Sequence, residues 1–258
     1  MGFDELRLAG RYLPGIRYWR GIKDAFARHG IECITTAVPT TGSIADRAAA
    51  MAAQIAAKVP QPGTPVNIVA HSMGGLDARY MISRVCPPRS AFQVASLTTI
   101  ATPHRGSSAA DMLFRDILGP ELVPRIYRVL ERLKVDAAAF TQLTTTYVTE
   151  HFNPSTPNDP AVAYYSYGAA ATPHLLSVFR LSHDLMRDVE GPNDGLVSVR
   201  SAKWGVYRGT LVGVTHLDLI NWSNRIKTAA SRLGLMRENF NAVAFYLAVA
   251  DGLAKEGF

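Results

Sequence analysis

Ala70-His71-Ser72-Met73-Gly74-Gly75 decides the reading of this chain. It follows the apolar run Val66-Asn67-Ile68-Val69 and precedes Leu76-Asp77-Ala78-Arg79-Tyr80-Met81-Ile82, whose spacing predicts a helix. The result is a strand, a sharp turn and a helix, with a serine at the apex. Small residues stand two before the serine (Ala70) and two after it (Gly74), as a tight turn requires. Ala70 replaces the usual first glycine and is still small. A backbone bent this way lifts the Ser72 hydroxyl above the sheet. It also turns the next N–H, that of Met73, toward whatever the serine attacks. An ordinary strand-to-helix turn can carry the same local pattern, so the serine needs partners elsewhere in the chain.

Two distant segments supply them. Gly191-Pro192-Asn193-Asp194-Gly195-Leu196-Val197 puts an acid in a glycine-bracketed turn. Val212-Gly213-Val214-Thr215-His216-Leu217-Asp218 puts a histidine just after the strand-like run at residues 210–214. Ser72, Asp194, His216 is the chain order of a nucleophile, acid and base on a sheet of this kind. A serine hydroxyl is a weak nucleophile until a base takes its proton. Histidine suits that role because its unperturbed pKa lies near neutrality. The acid fixes the imidazole tautomer and stabilises the imidazolium. Ser72, Asp194 and His216 are therefore the candidate catalytic residues, and the Met73 N–H is the candidate oxyanion donor.

These segments resemble lipases of the α/β-hydrolase superfamily, in particular fungal triacylglycerol lipases of the mitochondrial type, relatives of bacterial true lipases. The resemblance rests on residues 66–75, on Thr102-Pro103-His104-Arg105-Gly106-Ser107, on residues 192–197 and on His216-Leu217-Asp218. Gly2-Phe3-Asp4 and Tyr18-Trp19-Arg20-Gly21-Ile22 also match, so it runs over nearly the whole chain. It implies one α/β-hydrolase domain over residues 1–258, with a mostly parallel sheet, helices on both faces and a helical cap at about 107–160. It further implies a serine ester hydrolase acting through an acyl-enzyme. The alternatives are an acyltransferase with the same triad and a hydrolase-like protein of impaired activity. Substrates would be lipids or other esters, with transient contact at a membrane or lipid-droplet surface. A mitochondrial location follows only from the resemblance.

Composition agrees with such a domain. The chain has 258 residues, 48% hydrophobic and 19% charged, enough for a sizeable core. Its formal charge is +6 and its pI about 9.4, but the basic residues are scattered, and no motif supports nucleic-acid binding. Two cysteines, Cys33 and Cys86, are too few for a disulfide framework and suit reduced thiols in an intracellular setting. Met1-Gly2-Phe3-Asp4-Glu5-Leu6 is not a signal peptide, and no apolar run approaches membrane-spanning length. No cofactor and no metal is called for.

Periodicity fills in the rest. An amphipathic helix is expected at 17–29, stopped by Gly30, and a strand at 31–38. Ser43-Ile44-Ala45-Asp46 predicts a capping box opening an alanine-rich helix to about Lys58. Residues 60–65 break the pattern. Strands are expected at about 94–101 and 162–167, a proline-rich loop at 153–160, and a closing helix at about 239–253. Within the cap, Leu122, Ile126, Leu130 and Leu133 share one helical face, read as packed core.

The pattern opens on a helix where sheets of this type put an apolar strand whose loop donates the other oxyanion N–H. In the resembled lipases a His-Gly pair closes that strand, so the reading expects a strand lost before residue 1, by truncation or in a short natural form. His71 is expected to pack beside the elbow, His104 to be structural and Arg79 to brace the elbow helix. Asp218 matches a calcium-ligand position in bacterial relatives, but Trp222 stands where they offer an amide, so Asp218 reads as a structural hydrogen-bond partner. Asp184 and Asp188 do not align with that site.

Overall fold

Residues 66, 68 and 70 point to one face of a strand and residue 69 to the other, because side chains alternate along a pleat. All are apolar or small apart from their polar neighbours, so the strand β1 (Thr64–His71) is built to be covered on both sides. The structure is a computed structural model that describes residues 19, 21–39, 42–85, 91–114, 141–172, 179–221 and 240–258. Among them four strands form one sheet in the order β1, β2 (Phe92–Ile100), β3 (Ala163–Ala170), β4 (Val206–Val212), with every neighbouring pair parallel.

Helices cover both faces. On one, α2 (Ile44–Ala56) and α3 (Gly74–Tyr80) pack Ala48, Met51 and Ala78 against Ala70, Leu97 and Tyr164. On the other, α1 (Ile22–Arg28) and the closing helix pack Ile22, Ala242 and Tyr246 against Ile100 and Ala169. The chain is thus an α/β-hydrolase fold, with the serine at the carboxyl end of the strand edge, where such sheets place their sites. The remaining helices are α4 (Ser108–Phe114), α5 (Asn153–Ser155), α6 (Arg180–Glu190), α7 (Val199–Ala202) and the closing α8 (Ala242–Lys255).

The capping box at α2 forms as expected. The Ser43 side chain accepts from the Asp46 N–H at 3.1 Å, and the Asp46 carboxylate accepts from the Ser43 N–H at 3.0 Å. The elbow helix runs on into a π-helical turn, Met81–Val85, through which Met81 and Ile82 stay buried. Residues 31–38 do not form the expected strand. The Gln54 amide of α2 takes both backbone groups of Ala37, at 2.9 and 2.6 Å, and Lys58 Nζ donates to the Thr35 carbonyl at 2.7 Å. Side chains satisfy here what a neighbouring strand would. The loop expected at 153–160 begins in the short helix α5, which follows a second π-helical turn, Tyr147–Phe152. The Leu122 to Leu133 stripe, Cys86 and Trp222 lie outside the described residues.

Among the described residues no strand pairs with the outer edge of β1. That edge faces a cavity of about 920 Å³ lined by Phe26, Val38, Met51, Val66, Ile68 and Tyr246. Among the described residues no helix is long and apolar enough to cross a membrane.

α2 and α3 are joined by a buried ion pair. Arg47 Nε lies 3.0 Å from both carboxylate oxygens of Asp77, Nη2 lies 2.9 Å from Oδ1, and Nη1 donates to the Gly42 carbonyl at 2.6 Å. Both side chains are buried at 1% or less exposure, so removing one leaves the other charge stranded. Arg47→Met should cost about 3–5 kcal/mol in urea unfolding, while the double variant Arg47→Met with Asp77→Leu should recover most of it. A mild single variant, or a double variant as weak as the single, would contradict this.

Candidate active site

β1 ends and α3 begins across Ser72 and Met73, leaving no room for a relaxed loop. Ser72 takes φ 56°, a left-handed conformation that costs a residue with a Cβ about 1–2 kcal/mol. Hydrogen bonds hold it there. Its N–H donates to the Ile100 carbonyl at 3.0 Å. Its carbonyl accepts from the Thr102 hydroxyl at 2.8 Å and from the Gly75 N–H at 3.0 Å. Gly75 is required by space, since an added Cβ would lie 2.2 Å from Thr102 Oγ1. The N–H of Met73 opens α3, where the helix dipole favours negative charge.

The acid comes from the turn after α6. Asp194 Oδ1 accepts from the N–H groups of Leu196, at 3.0 Å, and Val197, at 2.8 Å. Oδ2 is left for His216 Nδ1, at 2.7 Å. The backbones are also tied, with the His216 N–H donating to the Asp194 carbonyl at 3.1 Å. With Nδ1–H committed to the acid, Nε2 is free to accept, and it lies 2.8 Å from Ser72 Oγ. Residues 72, 194 and 216 thus form one hydrogen-bonded line. Asp194 and His216 are fully buried, and Ser72 is 8% exposed. Such a line can move a proton from a hydroxyl to an imidazole whose charge the carboxylate supports.

The other candidates fall around this line. His71 is buried with its ring 4.5 Å from that of His216. His104 bonds Thr99 Oγ1 at 2.9 Å and stacks on Trp204 at 5.1 Å. Burial, then Arg79 and Arg105, hold its pKa well below the usual histidine range. Arg79 braces the elbow helix. It bonds Asn153 Oδ1 at 2.9 Å and the Thr156 carbonyl at 3.2 Å, and its guanidinium lies 3.6 Å from the Trp204 ring centroid. Burial draws its pKa down to about 9, which leaves it charged at neutral pH. Asp218 Oδ2 accepts from both the N–H and the hydroxyl of Thr215, at 3.0 and 2.7 Å, so it shapes the turn carrying His216. Asp184 faces Arg180, His183 and Arg187, and Asp188 faces Arg187. Among the described residues no group of three or more His, Cys, Asp or Glu side chains could hold a metal ion.

Three supporting residues are given no role of their own by the sequence reading. Thr102 holds the Ser72 carbonyl. Asn193 Oδ1 accepts from the Gly195 N–H at 2.9 Å, and its Nδ2 donates to the carbonyls of His183 and Gly191, both at 3.1 Å. The pattern Asn-Asp-Gly signals such a turn. Glu190 accepts from the Ser108 N–H at 2.8 Å and from the Ser198 hydroxyl, which joins α4 to the acid turn. Nothing local in the sequence marks it.

No protein-family model matches the chain. Triacylglycerol lipase 2 of Saccharomyces cerevisiae is 40% identical to it over 99% of the chain and 79% of that protein. A triacylglycerol lipase of Vibrio cholerae is 27% identical over 85% of the chain and 76% of its own length. Among solved structures, Staphylococcus hyicus lipase superposes with a TM-score of 0.70 at 20% identity, covering 98% of this chain and 94% of that one. The chain belongs to the triacylglycerol lipase family and is a carboxylic ester hydrolase with a lipid or other ester as substrate.

The elbow geometry makes a steric prediction. Gly75→Ala should push the Thr102 hydroxyl off the Ser72 carbonyl, cost about 1–3 kcal/mol in urea unfolding and lower ester turnover. Thr102→Gly added to Gly75→Ala should recover part of the stability, because it removes the Thr102 Oγ1, Cγ2 and Cβ that lie 2.2, 2.7 and 2.9 Å from the new Cβ. Full stability in Gly75→Ala alone would contradict the packing.

Proposed function

We propose that this lipase-family chain cleaves acyl esters, triacylglycerols among them, through an acyl-enzyme on Ser72. The observation that carries the reading is the unbroken line from Ser72 Oγ through His216 to Asp194, at 2.8 and 2.7 Å. Ser72 Oγ attacks the ester carbonyl carbon while His216 Nε2 takes its proton. The negative charge that develops on the carbonyl oxygen is met by the Met73 N–H. The tetrahedral species collapses as His216 returns the proton to the leaving alkoxide, and the acyl group stays on Ser72. Water then enters, its oxygen attacks the acyl carbon as His216 Nε2 takes its proton, and the second tetrahedral species collapses with that proton passed to Ser72 Oγ, which frees the serine and releases the fatty acid. Asp194 keeps the imidazole oriented and its charge supported throughout.

An apolar wall stands beside the nucleophile. Met73 follows Ser72, Leu217 follows His216, and both belong to one cluster with Ala110 and Leu143. Such a wall suits an acyl chain, and a substrate of this class places the enzyme's work at a lipid–water interface. The fungal resemblance adds a mitochondrial location, which fractionation of tagged protein tests directly.

Ser72→Ala and His216→Ala should each lower ester turnover by several orders of magnitude, because the three groups act as a unit. Asp194→Asn should cost on the order of 10⁴-fold by offering the imidazole the wrong partner. With a labelled acyl donor, free fatty acid should be the main product, and should remain so when glycerolipid alcohols are added. Ester products dominating in their presence would make the enzyme an acyltransferase, and full turnover in Ser72→Ala would remove the assigned nucleophile.

A further inference from the structure

The two hydrogen bonds to His216 sit at opposite ends of its ring. The side-chain torsions of His216 also answer to what packs against the ring, and His71 packs there. Its ring lies 4.5 Å from the His216 ring, inclined by 43°, and its side chain is 1% exposed. We propose that His71 is a positioning residue, a neutral imidazole packed on His216 that holds the base in the attitude needed to take the Ser72 proton. The proposal rests on Ser72 and His216 being nucleophile and base.

His71 is suited to this by its place in the strand. It is the last residue of β1, so alternation puts it with Val69 on the α1 and α8 face of the sheet, opposite the neighbouring Ala70. There it is backed by other rings. Trp19 meets His71 edge-on at 6.4 Å, and Tyr246 of α8 meets Trp19 edge-on at 5.1 Å. Edge-to-face contacts of this kind have a preferred geometry, so α8 is coupled to the base through three rings.

Its chemistry also fits. Burial first, and then the neighbouring His216, hold the His71 pKa well below the usual histidine range, while a hydrogen bond to the His216 backbone pulls the other way. His71 therefore stays neutral at ordinary pH and sets no positive charge beside the imidazolium that His216 becomes. A lysine or arginine at this place would pack as closely and oppose the charge. A leucine would pack without the bond to the His216 main chain.

The test compares His71→Ala, His71→Phe, His71→Asn and His71→Gln in the full chain, each checked for its melting temperature. Phe keeps a ring face, and Asn and Gln return an N–H near the positions of the two ring nitrogens. His71→Ala should lower kcat for a soluble ester about 10–100-fold, as expected for a displaced catalytic group, with KM within about twofold. The low-field proton NMR signal of the His216–Asp194 hydrogen bond should broaden or shift in the same variant. Phe, or one of the two amides, should recover most of both. Wild-type kcat in any folded His71→Ala, a loss falling on KM, or an unmoved NMR signal would overturn the proposal. If His71→Ala does not fold, the same readouts on the Phe, Asn and Gln variants decide it, and a kcat below wild type in all three with an unmoved signal would overturn it. Fluorophosphonate labelling separates this from the premise. Labelling that survives Ser72→Ala removes the nucleophile, whereas labelling lost there with full turnover in the His71 variants removes only the His71 role.

Discussion

The Ser72 backbone is held in a left-handed conformation by hydrogen bonds from its own N–H and to its own carbonyl, and the rest of the site is arranged about that residue. Its N–H reaches Ile100 at the end of β2, and its carbonyl is met by Thr102 just beyond that strand. The strand pair β1–β2 therefore sets both the height and the direction of the hydroxyl. Strain of this kind persists only where surroundings over-determine it. Here a parallel ladder, a glycine with no space for a Cβ and a helix start do so together. His216 and Asp194, the proposed base and acid, are then brought to a fixed point, because their main chains are bonded to each other as well as their side chains.

Around that point the interior holds a large amount of buried polarity, and its charged and imidazole groups are accommodated in different ways. Arg47 and Asp77 cancel as a pair and join α2 to the elbow helix. Arg79 pairs with no carboxylate among the described residues. It is held by carbonyl and amide oxygens and by the Trp204 ring face, which links the elbow helix to the segment around Asn153. His71 and His104 avoid the cost of a buried charge by staying neutral. Five polar side chains thus surround the elbow, and none is bonded to the Ser72 hydroxyl.

The parts legible in the sequence are those set by local physics. A small-residue turn between an apolar strand and a helix, a Ser-x-x-Asp box and an Asn-Asp-Gly turn each specify their own backbone, and residues 72, 43–46 and 193–195 take the shapes their sequence implies. Parts set by distant partners were not legible. Residues 31–38 are β-branched enough to read as a strand, yet Gln54 and Lys58, about twenty residues on, occupy their backbone groups. Glu190 looks like an ordinary helix-end acid, and only the fold brings Ser108 to it. His71 reads as a motif neighbour because strand alternation says which face it takes but not that His216 waits there.

The central claim is that Ser72 carries the acyl group between the two halves of the reaction. The most direct measurement is mass spectrometry of peptides from enzyme quenched in acid during turnover of an activated acyl ester. The account predicts the acyl mass on the peptide containing Ser72, absent in Ser72→Ala and accumulating to a lower level in His216→Ala. Sustained turnover with no acylated peptide, or with the acyl group on another residue, would contradict it.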